Sequence, residues 1–193
     1  MSLAAGATDE AARRAIIGAA DAVFYARGVG GAGMIEVRDA AGVSLRRLYS
    51  LYPSKRALVA AWLESRHQAW MGWLTSAVAR LEADGLGPID AVFGALAAWA
   101  SSPGYRGCAF LNTAAEVCEI DDLHREIIAR HKRGLRAYLQ GMVAKAGVGG
   151  AEARAAELAV LVDGAIVQSA VFSSLEPIEA ARLAAARLMA AAA

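Results

Sequence analysis

Cysteine is scarce in this chain, proline is sparse, and the longest apolar stretch is interrupted by polar groups. Two cysteines in 193 residues leave no disulfide framework. Cys108 and Cys118 lie ten residues apart. On one helix that is about 15 Å of rise, too far for a disulfide, so both read as small buried hydrophobes. Four prolines and the lack of period-2 alternation argue for helices throughout. The start, Met1 to Glu10, has neither a basic n-region nor an apolar h-region, so no signal peptide is read there. Leu158 to Leu175 is broken by Asp163, Gln168 and three serines, which argues against a lipid-facing helix. Together these absences predict a cytoplasmic protein with no membrane partner.

Catalytic and metal patterns are missing as well. There is no GxSxG, no phosphate-cradling glycine loop and no CxxC. His67, His124 and His131 fit no metal spacing and read as surface or capping residues. The expectation is no catalytic residue, no metal and no cofactor. An all-α metal- or thiol-dependent enzyme stays as an alternative, which bound metal or turnover would favour.

What is present is a chain that is 57% hydrophobic and 20% charged, enough to bury a core. The net charge of +1 hides an asymmetry. Residues 1–60 hold eight Lys/Arg against five Asp/Glu, and residues 61–193 hold twelve against fourteen. Arg46, Arg47, Lys55 and Arg56 fall between Ser44 and Arg56 with no acid among them. A local basic patch of this kind is either a solvated face or the footprint of one anionic partner.

Composition and punctuation predict an all-α fold of about nine helices. The first starts with Thr8 as N-cap, carries Ile16, Ala20, Val23 and Phe24 as its stripe, and ends at Gly28. The second runs from Met34 to Ala41. Gly42 makes the turn, and Ser44 caps a third helix ending near Tyr52. Ser54 caps a long fourth helix to about Glu82, and Pro88 opens a fifth. Further helices are expected over Cys108–Glu119, from Asp121 or Asp122 to Lys145, over Ala151–Ser173 and over Pro177–Ala192.

Two short helices joined by a glycine turn, the second bearing arginines, have the layout of a helix-turn-helix. Val37, Ala40, Ala41, Val43 and Leu48 are expected to lock against Ile16, Ala20 and Phe24. Arg46 and Arg47, in the first turn of the third helix, carry the donor fork that matches guanine O6 and N7. Ser44, Tyr49, Tyr52 and Lys55 are candidates for phosphate contacts, although Tyr52 also suits half-buried packing. At this point the residues resemble a known family. Ile16 to Phe24, Gly28, Val37 to Ser44, Leu48-Tyr49, Tyr52, Ser54-Lys55 and Leu58 are similar to the N-terminal domain of TetR-family bacterial repressors. The likeness covers residues 13–58, about a quarter of the chain. It implies a helical homodimer, three N-terminal helices for DNA and a variable C-terminal ligand domain, here drawn as 8–53 and 54–193. Ala32-Gly33 departs from the family's usual Thr-Ser, Arg46-Arg47 from a frequent small pair, and Leu51 from a polar residue.

Beyond residue 58 the reading is physical. Trp62 and Trp73, eleven apart on one helix, point within about 20° of each other, and Arg66 shares that face. They form either a core stripe or an effector-pocket wall. Cys108, Asn112 and Glu116 recur every four residues, as either an internal network or a ligand contact. The eighth helix is apolar nearly all round, and a partner subunit explains its second covered side. Leu158, Val162 and Ile166, with Leu183 and Leu188 of the ninth helix, are the candidate dimer interface. The function expected is a ligand-responsive repressor released from a palindromic operator by a small molecule. An architectural DNA-binding protein without effector control is the alternative.

Overall fold

The computed structural model describes residues 2–116 and 122–190, with side chains from Thr8 onward. Among the described residues there are nine helices and no strand: α1 Ser2–Arg27, α2 Met34–Ala41, α3 Leu45–Leu51, α4 Lys55–Ala83, α5 Pro88–Ala100, α6 Ala109–Glu116, α7 Asp122–Lys145, α8 Ala151–Phe172 and α9 Glu176–Ala190. Cys118, Glu119, Asp121 and the stretch beyond Ala190 lie outside the described residues. The expected start of α1 at Thr8 is corrected. The helix runs from Ser2, because the alanine-rich segment before Thr8 is itself a good helix former.

The chain groups into two compact units. The first joins 1–68 with 109–128, and the second joins 69–108 with 129–193. The helix α4 continues unbroken from Lys55 to Ala83.

In the first unit α1 packs on α2 and α3. Ile16, Ala20 and Phe24 form the buried stripe of α1 and share the core with Val37, Leu48, Leu58, Trp62 and Leu63. Phe24 meets Trp62 edge to face at 5.3 Å. Ala40, expected in this core, is exposed, and Met34 is buried instead. Helical spacing explains the exchange: positions 34, 37 and 41 share a face, and 40 is turned about 120° from position 34. Gly42 sits at φ 65°, where a side chain would be strained, and closes α2 through amide bonds to Arg38 and Asp39.

In the second unit α5, α8 and α9 pack together. Ala155, Leu158, Val162, Ala165, Ile166 and Ser169 line the buried side of α8. Leu158 and Val162 are 0% exposed. The candidate interface residues Leu158, Val162 and Ile166 are thus interior to their own subunit. Apolar periodicity alone could not say which of the two apolar sides of α8 faces inward. The outward side carries Val160 at 73% exposure, Val171 at 70% and Val167; Phe172 at the end of α8 and Leu183 on α9 are also exposed, and Leu188 is half-buried. By length and composition α8 is long and apolar enough to cross a membrane, the one such helix among the described residues.

Candidate nucleic-acid interface and effector region

Ser44, in extended conformation, caps α3 by accepting the Arg47 amide at 3.2 Å. Leu48 and Leu51 then turn inward. Ser44, Leu45, Arg46, Tyr49 and Ser50 remain exposed, Tyr49 by 45%. The outward face of this short helix therefore offers a guanidinium, a phenol and two hydroxyls. Arg47 is half-buried and its guanidinium is paired with Asp9 of α1. Tyr52 is 6% exposed, with the Arg13 guanidinium 5.5 Å from its ring centre. Lys55 is half-buried at the start of α4, where Ser54 Oγ accepts the Ala57 amide at 3.1 Å. Of the six candidate DNA residues, Ser44, Arg46 and Tyr49 face outward together. Tyr52 belongs to the packing.

Elsewhere in this unit, side chains far apart in sequence are tied together. Asp21 on α1 accepts the Trp62 indole N–H at 2.7 Å and the Arg66 guanidinium at 2.6 and 2.9 Å. Arg66 also lies 4.0 Å above the Tyr25 ring. Glu116 accepts the Gly30 amide at 3.0 Å. It rests against Gly28 (φ 80°), where a Cβ would come within 2.5 Å of its carboxylate. His124 Nε2 is 3.0 Å from the Arg56 carbonyl. Trp62, Arg66 and Glu116, candidates for ligand contact, thus brace the first unit. Asp21 could have been found: an acid beside the Ala20–Phe24 stripe requires a partner.

Trp73 and Cys108 lie in the second unit, and half-buried Asn112 lies in the first. Trp70, Trp73 and Trp99 make one aromatic cluster, with Trp70–Trp99 at 5.5 Å and Trp73–Trp99 at 6.3 Å. Tyr105 stands on Trp99 at 5.0 Å, and His131 on Trp70 at 5.5 Å. The Trp70 indole N–H is buried with no partner among the described residues. Tyr105 donates to the Ile166 carbonyl at 2.9 Å and meets Ser169 Oγ at 2.8 Å. Lys132 Nζ pairs with Asp163 at 2.6 Å and lies 3.7 Å from Cys108 Sγ. Arg182 ties α9 to α5 by binding Asp90 at 2.9 Å, and it also holds Glu179. Hydrogen bonding to Arg182 lowers the Glu179 carboxyl below its ordinary 4.5. Burial, aided by Glu82, raises the Tyr138 phenol. No cluster of three or more metal-ligating side chains exists among the described residues.

Residues 16–62 match the family described as bacterial regulatory proteins, tetR family. No curated protein matches. Solved structures do. A TetR-family transcriptional regulator from Streptomyces coelicolor is 25% identical over 95% of this chain and 96% of its own, at a TM-score of 0.82. A putative TetR-type regulator from Streptomyces avermitilis is 27% identical over 90% and 97%, at 0.71. The reduced form of E. coli NemR is 23% identical over 90% and 94%, at 0.79. The pattern of TetR-family regulators thus falls on the first helices of the chain, and the fold is similar to that of TetR-family transcriptional regulators along its length.

Proposed function

We propose that this DNA-binding regulator is a repressor that acts as a homodimer in the cytoplasm and is released from a palindromic operator by a small-molecule effector. The observation that carries the reading is the capped α3, which presents Ser44, Arg46 and Tyr49 outward while Leu48 and Leu51 anchor it. In this reading Arg46 reads a guanine edge and Ser44, Tyr49 and Lys55 hold phosphates. Two heads are needed for two half-sites, and the exposed Val160, Val167, Val171, Phe172 and Leu183 supply an apolar surface for a second copy. The effector site is assigned to the second unit, around Trp70, Trp73, Trp99 and Cys108. The aromatic cluster there accompanies a buried indole N–H, without a partner among the described residues, that is able to donate to a ligand acceptor. Full reversal of a strongly biased equilibrium needs about 5 kcal/mol of differential effector affinity. The test is a gel-retardation titration of a selected duplex by the wild type and by Arg46→Ala. Loss of retention in the variant, with the dimer intact, is the expected result. Equal retention removes Arg46 from the interface.

A further inference from the structure

The structure carries an acid on the DNA-reading head whose position is best explained by what it does to Arg47. Arg47 occupies the first turn of α3, where groove-reading side chains sit. Its guanidinium is paired with Asp9, 38 residues earlier on α1. Neither partner is sealed away: the side chains are 36% and 47% exposed. An ion pair of that exposure is weak enough to exchange. The carboxylate and the O6/N7 edge of guanine present the same kind of acceptor pair to an arginine fork.

Resting on the DNA-binding reading above, we propose that Asp9 is a specificity-determining residue whose carboxylate competes with DNA for the Arg47 guanidinium. On a random duplex a guanine seldom stands at the matching position, phosphates are then the acceptors within reach, and Arg47 stays on Asp9. On a duplex with a guanine at the matching position, the base edge replaces the carboxylate. Asp9 therefore withholds one cation from non-specific binding, and discrimination arises by penalising the wrong sequence.

The experiment measures fluorescence anisotropy of a labelled random duplex and a selected operator, over a salt series. The proteins are the full-length wild type, Asp9→Asn, Arg47→Ala and the double variant. Asp9→Asn is expected to tighten random-duplex binding about two- to fivefold, the span of an exposed ion pair. The slope of log affinity against log salt should steepen by about 0.9, one more phosphate neutralised. In the Arg47→Ala background Asp9→Asn should have no effect. An equal gain in that background would overturn the proposal, because the acid would then be repelling DNA directly. Unchanged or weaker binding by Asp9→Asn, with a lowered melting temperature, would also overturn it and make the pair a strut. Failure of the wild type to bind any duplex removes the DNA-binding reading itself, a separate result from either of these.

Discussion

Asp21 shows how one side chain can set the duties of several others. It accepts from Trp62 and Arg66 together, so both are held in the head. Trp62→Phe keeps the ring contact with Phe24 but removes the indole donor. A stability loss of about 0.5–1.5 kcal/mol is expected from denaturant melts. Asp21→Ala should cost more than Trp62→Phe, because it strands a buried indole N–H and a largely buried guanidinium at once. Gly28 is a stricter case. Its φ of 80° already disfavours any side chain, and a Cβ would collide with the Glu116 carboxylate. Gly28→Ala should therefore destabilise by more than the ~1 kcal/mol of an ordinary positive-φ substitution, read in the same melts.

At the level of elements, α8 divides its apolar residues between two destinations. Leu158→Ala should cost about 2–5 kcal/mol, since that side chain is fully enclosed by its own subunit. Val171→Glu should leave the melting curve of the fold nearly unchanged and shift the protein to monomer in analytical ultracentrifugation. Retained dimer would move the interface elsewhere. Arg182 joins α5 to α9 through Asp90 and Glu179, and its stabilisation depends on pH. The Glu179 carboxyl is lowered in the folded chain, so its contribution is present above the unfolded carboxylate range and fades as pH falls through the folded value. The melting-temperature gap between wild type and Arg182→Ala should accordingly narrow as pH falls below the ordinary carboxylate range.

The same helices show what was legible in the sequence. Gly42, Ser44, Ser54 and Pro88 punctuate the chain so plainly that α2 to α5 are readable within a residue or two. The stripe Ile16–Ala20–Phe24 likewise announces the core of α1. What could not be read was pairing between residues far apart in sequence. Arg47 with Asp9, Arg66 with Asp21 and Glu116 with Gly30 are separated by 38, 45 and 86 positions. Spacing rules report only what lies on one face of one helix. For the same reason Trp62 and Trp73 looked like neighbours on α4, yet they fall in different compact units.

For the whole molecule, the proposed function rests on a capped recognition helix in the first unit and a self-complementary apolar surface on α8. A two-fold pair of such heads reads sequence twice, about one helical turn apart. The exposed Arg46 and the paired Arg47 differ in availability, so affinity and discrimination should respond to different substitutions. The most direct measurement is selection of bound sequences from a pool of random duplexes by the purified full-length chain. An inverted repeat with two equal half-sites, retained less well as salt rises, is the predicted outcome. Recovery of an unenriched pool, or of a single asymmetric site bound by one copy, would contradict it.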